Sequence, residues 1–307
     1  MEEFELIAAL RERLRLPEGA LGWRDDAALI DRPVNVATTD MLVAGVHFEL
    51  RWSSPADAGW KAAAANLSDL AAMGAAPVAM LWAVGAPNGE RGLVLEAAEG
   101  LGECAHRYGA PVYGGDTVDA PVLVMAVTAL GRSERLVRRD GAAAGDLVGV
   151  TGPVGLGAAG LALLRGLEVH IERDVGERLL TRHRRPEPRL AESAALAAAG
   201  ATAMVDVSDG LGADLGHVAE ASRVAIHLHQ VPLGAGVAEV GETLGQPPAR
   251  FALAGGDDYE LAFTFPPQRR EEVEALGFPV IGQVESGEGV WWGGERVDGL
   301  GWRHGRR

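Results

Sequence analysis

Apolar and polar residues repeat along the chain with two different periods, and the first part of the sequence shows both. Apolar residues recur at helical spacing from Phe4 to Leu14 and predict an amphipathic first helix that ends near Pro17. Val34 and Val36 alternate with polar neighbours, which is the period of a half-buried strand. The strand is expected to run out into a loop at Thr38, Thr39 and Asp40. Because ligands usually bind at such places, these three side chains are candidate binding residues.

A second helix is predicted from its start signal. Ser54 to Asp57 place a serine at the N-cap, a proline at the first helical position and an acid three residues after the cap. We expect the helix to run to Met73, with Gly74 as its C-cap. Asn66 and Asp69 lie three residues apart and therefore share a face. This polar pair is either the solvated side of the helix or a coordinating pair, and the pattern leaves both open.

Strand and helix patterns alternate through the rest of the chain. Strands are predicted at 78–84, 112–117, 122–130, 147–151 and 203–207, and helices at 91–108, 175–184, 187–199 and from 209 to 221. The alternation indicates an α/β protein, and a length of 307 residues favours two domains. The polar, basic stretch 131–145 is the best candidate for the connection. We therefore predict domains at 1–135 and 136–307.

Acidic residues recur at the ends of these elements. They are Asp25, Asp26, Asp69, Asp116, Asp206, Asp209, Asp257 and Asp258. Each one alone has an ordinary explanation, because aspartate favours turns and helix N-caps. A buried strand, however, seldom holds two acids as close as Asp206 and Asp209 unless something compensates their charge. We expect the fold to gather many of these acids into one cluster, where hard cations bridge them to a polyphosphate.

Charge and cysteine content exclude several classes of function. The formal net charge of -15 argues against a nucleic-acid backbone or an anionic membrane as a partner, since most of the surface would repel either one. Cys104 is the only cysteine, so no intrachain disulfide is expected. The first residues lack the pattern of a signal peptide, and the longest uncharged run, 147–164, is rich in glycine. These features predict a cytoplasmic protein without a membrane segment.

The basic residues restrict how a nucleotide could be bound. Lys61 is the only lysine and is followed by Ala62, so the chain contains no P-loop sequence. Phosphates would have to be bound by metal ions, arginine and backbone amides. The histidines also lack the spacing typical of a zinc site.

A glycine-rich turn offers an alternative function. Gly155 to Gly160 match the Gly-x-Gly-x-x-Gly fingerprint after a strand, and Glu172 could serve as the acid that binds the ribose of a dinucleotide. This turn is the evidence for an alternative function, that of a dinucleotide-dependent oxidoreductase. The match leaves the scattered aspartates unexplained, and close packing of a helix on a strand is the favoured interpretation of the glycines.

Several stretches taken together resemble the thiamine-monophosphate kinase family, within the larger aminoimidazole ribonucleotide synthetase-like group. The matching segments are Asp25-Asp26-Ala27-Ala28, Thr39-Asp40-Met41-Leu42-Val43, Gly45-Val46-His47-Phe48, Lys61-Ala62, 66–74, Gly114-Gly115-Asp116-Thr117, Val150-Thr151-Gly152, Asp206-Val207-Ser208-Asp209-Gly210-Leu211 and 255–261. Each motif is weak alone. Their occurrence in family order over nearly the whole chain is highly specific.

The resemblance implies a homodimer of two-domain α/β subunits in which an N-terminal mixed sheet pairs across the dimer. It also implies Mg²⁺-dependent, in-line transfer of the γ-phosphoryl group of ATP to thiamine monophosphate, which gives thiamine diphosphate and ADP. Magnesium-binding positions of the family correspond to Asp26, Thr38, Thr39, Asp40, Asp69, Asp116, Asp206 and Asp209. Nucleotide contacts correspond to Gly115, Asp116, Arg139 and Ser208, and substrate contacts to His47, Asp257 and Trp302. Asp69, Asp116 and Arg139 are the expected catalytic residues.

The sequence departs from the family pattern at three places. Arg24 replaces a glycine before the aspartate pair, Asp257 replaces the usual glutamate, and Leu156-Gly157 replaces a common Asp-Ser pair. None of these changes removes an expected metal ligand. Within the same group, a selenophosphate synthetase-like enzyme usually has a reactive cysteine near its start and a hydrogenase-maturation enzyme a terminal one, whereas Cys104 lies in the middle of a predicted helix. A non-catalytic metal-binding scaffold is the remaining alternative.

Overall fold

The structure, a computed structural model, describes residues 3–14, 33–88 and 90–302. These residues divide into two compact units. Unit 1 contains the described residues up to Leu70 and then Ala75–Glu134, while unit 2 contains Ala71–Gly74 and the described residues from Arg135 onward. The chain therefore contributes a short segment to unit 2 before it completes unit 1.

A mixed four-stranded sheet forms the centre of unit 1. The helices are α1 (Glu3–Leu14), α2 (Pro55–Ala72, whose last two residues belong to unit 2) and α3 (Arg91–Arg107), and the strands are β1 (Val36–Val43), β2 (Ala76–Ala86), β3 (Val112–Asp119) and β4 (Val124–Arg132). The sheet order is β1-β4-β2-β3, and only the β2–β3 pair is parallel. In the described part of unit 1, β1 and β3 are thus the two edges.

Strand β1 is longer than the sequence predicted. It was expected to run out into a loop at Thr38, Thr39 and Asp40, but it continues to Val43 and pairs with β4 along its whole length. The polar residues are accommodated because β1 is an edge strand whose side chains alternate between half-buried and exposed positions from Val36 to Met41. The candidate residues Thr38, Thr39 and Asp40 consequently lie within a strand and have fixed directions.

The two faces of this sheet have different environments. Asp40, Val127 and Trp82 are in register across β1, β4 and β2, and Val127 and Trp82 are fully buried. On the opposite face Met41 of β1 is 56% exposed and Val118 of β3 is 53% exposed. Unit 1 therefore has one covered sheet face and one apolar face that is open to solvent.

Helix α2 begins as its sequence predicted. The backbone N–H of Ser54 donates to Asp57 Oδ2 at 3.2 Å, and the backbone N–H of Asp57 donates to Ser54 Oγ at 3.1 Å. This reciprocal pair satisfies two N–H groups that the first helical turn leaves without a partner. The predicted capping box is confirmed, and at the other end Gly74 follows the helix with a φ of +68°.

Glycines allow α2 and α3 to pack at backbone distance. A Cβ added to Gly100 of α3 would lie 1.7 Å from the carbonyl oxygen of Ala56, and one added to Gly59 of α2 would lie 1.9 Å from that of Ala97. Neither side chain could be accommodated without moving a helix. This close crossing fixes the position of α2, the helix that carries Asn66 and Asp69.

Unit 2 is built on a larger sheet. Its helices are α4 (Leu156–Leu164), α5 (Arg173–Arg184), α6 (Leu190–Ala199), α7 (Leu211–Ser222), α8 (Val237–Thr243), α9 (Pro248–Ala254) and α10 (Arg270–Ala275). Its strands are β5 (Leu147–Val150), β6 (Ala203–Asp206), β7 (Ala225–Leu228), β8 (Leu261–Phe265), β9 (Val280–Glu285), β10 (Gly289–Trp292) and β11 (Glu295–Arg296). Across the described residues the sheet order is β11-β10-β7-β9-β5-β8-β6, with β10 and β7 parallel and the other neighbours antiparallel.

Both faces of strands β6 and β8 in unit 2 are buried. Val205 of β6 and Ala262 of β8 pack into one apolar cluster, while Met204 and Phe263 on the same strands pack into another. Successive residues of a strand point to opposite faces, so two separate clusters on alternate residues mean that the sheet is covered on both sides. This burial explains why the residues of β6 and β8 are mostly apolar.

The predicted α/β class with two sheets is confirmed. In the three described segments, no helix combines the length and the apolar character needed to cross a lipid bilayer.

The crossing of α2 and α3 predicts a selective effect of small substitutions. Gly100→Ala is expected to lower the free energy of unfolding by about 2 kcal/mol or more, because the new methyl group overlaps the backbone of α2. Gly92→Ala, in the same helix with open space around the added Cβ, is the matched control and should change stability by no more than about 1 kcal/mol. Urea unfolding followed by circular dichroism compares the two, and equal stabilities would contradict the packing argument.

Candidate metal and substrate sites

Two side chains of β1 meet one face of α2 in unit 1. Thr38 Oγ1 donates a hydrogen bond to Asp69 Oδ2 at 2.5 Å, and the backbone N–H of Asp40 donates to Asn66 Oδ1 at 3.1 Å. Asn66 is completely buried, and its amide nitrogen donates to the Ala62 carbonyl oxygen at 2.9 Å. The period of two in the strand and the spacing of three in the helix bring these residues together. The pair Asn66 and Asp69 is therefore not a solvated helix surface.

Asp40 and Asp69 form an acidic pair. Burial, and then the negative charge of Asp69 and a hydrogen bond to it, raise the pKa of Asp40 from 3.8 to about 6. Each of these causes opposes ionisation of Asp40, so a cation placed between the two carboxylates would be strongly favoured. The atoms available are carboxylate and hydroxyl oxygens, which are the ligands that Mg²⁺ prefers. Thr38, Asp40 and Asp69 therefore fit a hard divalent cation.

Thr39, another predicted metal ligand on β1, has different surroundings. The hydroxyl of Thr39 donates to the Val127 carbonyl oxygen at 3.0 Å and accepts a hydrogen bond from Thr128 Oγ1 at 3.2 Å, so it faces β4. Asp26 lies outside the described residues.

Asp116 is separated from the acidic pair within unit 1. It lies on β3, the sheet edge opposite β1, and it is in register with Ala83 on the open face. Asp40 is in register with Val127 on the covered face. The sequence predicted that many aspartates would form a single cluster, but alternation of side chains along the strands puts Asp40 and Asp116 on different faces and different edges. Among the candidate metal ligands in the described part of unit 1, Asp40 and Asp69 thus form a pair and Asp116 lies apart from them.

Gly115, the predicted nucleotide contact, also has a role in the sheet. A Cβ at this position would lie 1.8 Å from the carbonyl oxygen of Trp82 on β2. The glycine allows β3 to approach β2 just before Asp116, which is a packing reason for the Gly-Gly-Asp sequence.

His47 follows β1 in a tight turn that fixes its ring. The backbone N–H of Val43 donates to His47 Nδ1 at 3.0 Å, and the backbone N–H of His47 donates to the Val43 carbonyl oxygen at 3.0 Å. Because Nδ1 accepts a hydrogen bond, the neutral ring carries its proton on Nε2. His47 is therefore arranged to donate through Nε2.

In unit 2 the segment Asp206–Gly210, which we name the aspartate loop, connects β6 to α7. Its carbonyl groups accept hydrogen bonds from two of the three residues predicted to contact the substrate. The backbone N–H of Asp257 donates to the Ser208 carbonyl oxygen at 2.8 Å, and that of Trp302 donates to the Asp209 carbonyl oxygen at 3.0 Å. The aspartate loop is thus a common support for predicted metal, nucleotide and substrate residues.

The aspartate loop is held from inside by Asp214, which sequence analysis missed. Asp214 Oδ2 accepts hydrogen bonds from the backbone N–H groups of Asp209, at 3.1 Å, and Gly210, at 3.0 Å. Burial, followed by the charges of Asp206 and Asp209, raises the pKa of Asp214 well above 3.8. Among described residues, ligand atoms of Asp209, Asp214 and His217 lie within 4.8 Å of one another. An acid on the buried side of a helix, shortly after two others, was the signal available in the sequence.

A cavity in unit 2 brings three predicted residues together. It has a volume of about 340 Å³ and is lined by Ser208, Asp257, Trp302 and the apolar side chains of Leu161 and Phe251, among others. The Trp302 side chain is exposed, with 50% of its surface accessible. A concave site with a few polar groups and an aromatic face suits a small ring-containing ligand.

Asp257 is held in an unusual backbone conformation. It has a φ of +66° and Tyr259 has a φ of +52°, a region that side chains other than glycine rarely adopt. Hydrogen bonds from their N–H groups to the Ser208 and Val207 carbonyl oxygens hold this geometry. The Tyr259 hydroxyl donates to Asp257 Oδ1 at 3.2 Å, and His183 Nδ1 lies 3.6 Å from Asp257 Oδ2. Such strain is typical of ligand-binding positions.

The adjacent Asp258 has a structural role instead. Its fully buried carboxylate accepts hydrogen bonds from the backbone N–H groups of Gly155, at 2.6 Å, and Gly157, at 2.9 Å. Burial raises the pKa of Asp258 to about 7 even though these hydrogen bonds oppose the shift. These are the amides that would bind a pyrophosphate in a dinucleotide fold, and a protein carboxylate occupies them. The geometry therefore favours the packing interpretation of the glycine-rich turn.

Glu260, two residues further on, is a buried acid with matched partners. It accepts hydrogen bonds from Arg182 Nη2 at 2.8 Å, Arg189 Nε at 2.8 Å and Thr151 Oγ1 at 2.6 Å. These charge-assisted contacts balance its charge inside unit 2. Glu260 therefore differs from Asp40, because its neighbours are positively charged arginines, whereas the neighbour of Asp40 is the carboxylate of Asp69.

Arg139, a predicted nucleotide contact and catalytic residue, lies in an exposed 3-10 turn of unit 2. Ser222 Oγ, at the end of α7, donates to the Arg139 carbonyl oxygen at 2.8 Å and accepts the N–H of Ala142 at 3.1 Å. The backbone of the turn is thus fixed while the guanidinium side is exposed.

Two family models match the chain in the order of its two units. One, described as AIR synthase related protein, N-terminal domain, matches residues 24–133, and the other, described as the C-terminal domain of the same proteins, matches residues 143–290. The fold and the two matched domains define a two-domain protein of the AIR synthase related class.

Individual relatives narrow this class. The chain is 42% identical over 273 residues to a thiamine-monophosphate kinase of Mycobacterium tuberculosis, covering 86% of this chain and 80% of that protein. The crystal structure of thiamine-monophosphate kinase from Stenotrophomonas maltophilia K279a is similar with a TM-score of 0.84 and 37% identity, over 96% of this chain and 98% of that one. A structure described as AaThiL complexed with AMPPCP and TMP is similar with a TM-score of 0.81 and 36% identity, over 98% and 96% of the two chains. The chain belongs to the thiamine-monophosphate kinase family, as the resemblance of its motifs predicted.

The raised pKa of Asp40 predicts a pH-dependent effect of removing its charge. The folded protein binds this proton more tightly than the unfolded chain, so the stabilisation by the proton is complete below about pH 4 and is lost as the pH rises through about 6. Asp40→Asn is expected to stabilise the metal-free protein by about 1–2 kcal/mol near neutral pH and to have little effect below about pH 4.

Urea unfolding at the two pH values measures this difference. Added Mg²⁺ should reduce the advantage of Asp40→Asn at neutral pH, because a cation bound by the wild-type carboxylates relieves the same repulsion. Asp119→Asn, at an exposed position of β3, is the control. An advantage of Asp40→Asn that is independent of pH would contradict the assignment.

Proposed function

We propose that this protein is a Mg²⁺-dependent thiamine-monophosphate kinase. It transfers the γ-phosphoryl group of ATP to thiamine monophosphate and releases thiamine diphosphate and ADP. Its membership in the family supports this reaction, and so does its similarity to a relative described as complexed with AMPPCP and TMP.

The observation that carries the proposal is the connection made by the aspartate loop. Ser208, a predicted nucleotide contact, lines the same cavity as Asp257 and Trp302, and the carbonyl groups of Ser208 and Asp209 bind the backbone of those two residues. Phosphoryl transfer depends mainly on positioning and on charge neutralisation. A loop that supports both nucleotide and substrate residues meets the first requirement.

Metal ions are proposed to meet the second requirement. Thr38, Asp40, Asp69 and Asp116 of unit 1 and Asp206 and Asp209 of unit 2 are the proposed ligands among the described residues. Bound Mg²⁺ would neutralise phosphate charge in a chain whose only lysine is not part of a P-loop. Thr39 and Asp26 remain predictions from the family resemblance. The exposed guanidinium of Arg139 is proposed to bind phosphate oxygens.

The substrate residues suit thiamine monophosphate chemically. The exposed face of Trp302 can stack on a cationic thiazolium ring, and the Asp257 carboxylate can accept a hydrogen bond from the amino group of the pyrimidine. His47 can donate through Nε2 to a phosphate oxygen. Unit 1 is proposed to be the metal-binding and dimerisation domain, and the cytoplasmic location expected from the sequence remains a prediction.

The open sheet face of unit 1 supports the predicted homodimer. Met41 and Val118 are each more than half exposed on this face, and burial of such a patch against a second copy would be favourable. A two-fold axis running along the strands would place β1 of one copy beside β3 of the other. Asp116 of one subunit could then act on the same nucleotide as Asp40 and Asp69 of its partner, which would compensate for their separation within one chain.

A product assay tests the reaction. Purified protein incubated with ATP, Mg²⁺ and thiamine monophosphate is expected to yield thiamine diphosphate, and EDTA should abolish the product because the carboxylates alone cannot neutralise the phosphates. Chromatography of the thiamine phosphates gives the measurement, with NADH binding as a control for the oxidoreductase alternative. Product formation that persists after chelation would refute the metal role.

Mixed dimers test whether Asp69 and Asp116 act across two subunits. Asp69→Asn and Asp116→Asn are each expected to lose most activity as homodimers, since Mg²⁺ prefers anionic oxygen. A heterodimer of the two variants, purified through a different tag on each chain, should recover about half of the wild-type activity, because one of its two sites is intact. An inactive heterodimer would show that both residues act within one chain. Recovery of only monomers would contradict the proposed association.

A further inference from the structure

We propose that Asp214 is a positioning residue that holds the aspartate loop from the inside and thereby sets the backbone to which Trp302 is attached. This inference rests on the proposed function, because it assigns the loop to the metal and substrate sites. Asp214 itself is not expected to bind metal or substrate.

Asp214 holds the aspartate loop through two hydrogen bonds. One oxygen, Oδ2, accepts the N–H groups of both Asp209 and Gly210, the last two residues of the aspartate loop. The side chain comes from the first turn of α7 and is only 3% exposed. Buried N–H groups without an acceptor are costly, so this carboxylate selects one conformation of the loop.

The loop has little freedom to find another acceptor. Gly210 has a φ of +127°, and a Cβ at this position would lie 3.0 Å from backbone atoms of Leu253 and Ala254. The N–H groups of Asp209 and Gly210 therefore point into α7 because the other side of the loop is occupied by α9. Asp214 is the side chain placed to receive them.

One hydrogen bond connects the aspartate loop to Trp302, which lines the substrate cavity. The Asp209 carbonyl oxygen, which belongs to the peptide unit that ends at the Gly210 N–H, accepts the N–H of Trp302 at 3.0 Å. A peptide unit is planar, so the direction of the Gly210 N–H fixes the direction of the Asp209 carbonyl. Asp214 on one side and Trp302 on the other thus bind opposite ends of the same peptide group.

The competing role is that of a metal ligand, because Asp209, Asp214 and His217 offer ligand atoms close to one another. The two roles make different demands on the side chain. An amide oxygen can accept the same two hydrogen bonds, so a positioning role survives the change to asparagine, whereas a Mg²⁺ ligand requires the negative charge. Leucine has a similar volume but no acceptor, so it removes the positioning role.

Hydrogen exchange of the metal-free protein tests the local part of the inference. In the wild type the amide protons of Asp209, Gly210 and Trp302 should exchange slowly, and Asp214→Asn should preserve this protection. Asp214→Leu should speed exchange of all three by about tenfold or more, since it leaves buried N–H groups without an acceptor. Unchanged exchange at Trp302 in Asp214→Leu would overturn the inference even if the loop amides respond.

Ligand binding tests the functional part. Mg²⁺ and thiamine monophosphate are titrated separately into the wild type, Asp214→Asn, Asp214→Leu and His217→Gln, with circular dichroism to verify folding. We expect Asp214→Leu to weaken thiamine monophosphate binding by about tenfold, and Asp214→Asn and His217→Gln to stay within about threefold for both ligands. A loss of Mg²⁺ affinity of about tenfold in both Asp214→Asn and His217→Gln would identify a metal site and overturn the positioning role.

The outcomes separate this inference from the proposed function. If the wild type neither binds nor phosphorylates thiamine monophosphate, the proposed function fails. If the wild type does both and Asp214→Leu behaves identically, only the positioning role of Asp214 fails. Should Asp214→Leu not fold, Asp214→Asn and His217→Gln still decide between positioning and metal binding.

Discussion

Repulsion between neighbouring carboxylates is the physical constraint on which the proposed function depends. Asp40 and Asp69 are brought together by a strand edge and a helix that has little freedom to move, because α2 is packed at backbone distance on α3. The causes that shift the pKa of Asp40 all raise it, so the folded chain holds this pair at a cost that a bound cation would remove. The fold creates the need for a metal ion as well as the place for one.

The buried acids of unit 2 show how the same residue type serves different purposes. Glu260 is matched by two arginines and a threonine, and Asp258 caps the amides at the start of α4. Asp214 binds two amides of the aspartate loop. These acids hold loops and helix ends in place, and they build the frame in which Asp206, Asp209 and Asp257 are presented. In unit 2 the candidate metal ligands lie on backbone whose amide groups donate hydrogen bonds to buried acids. Amide N–H groups do not bind cations, so they do not compete with the carboxylates for a metal ion.

Part of this arrangement could be predicted from sequence. The start of α2 followed from the Ser-Pro-x-Asp pattern, and the grouping of Asn66 with Asp69 followed from helical spacing, because both depend on residues close together in the chain. The family motifs indicated Ser208, Asp257 and Trp302, and these three residues do line one cavity. The end of β1 was predicted too early, since the pattern does not show that β4 pairs with the polar residues of an edge strand. The role of Asp214 was missed because its hydrogen-bond partners are backbone amides, which a pattern of residue types does not identify.

The sequence by itself determined the α/β class, the family, the absence of a P-loop and the set of candidate acids, because these follow from local periodicity and from residue identity. Only the tertiary structure decided which acids meet. Asp40 joins Asp69 while Asp116 lies on another face and edge of the same sheet, and Asp257 faces a cavity while Asp258 is buried against α4. Strand register and backbone dihedral angles determine where each acidic side chain lies. Both are set by contacts between residues far apart in the chain.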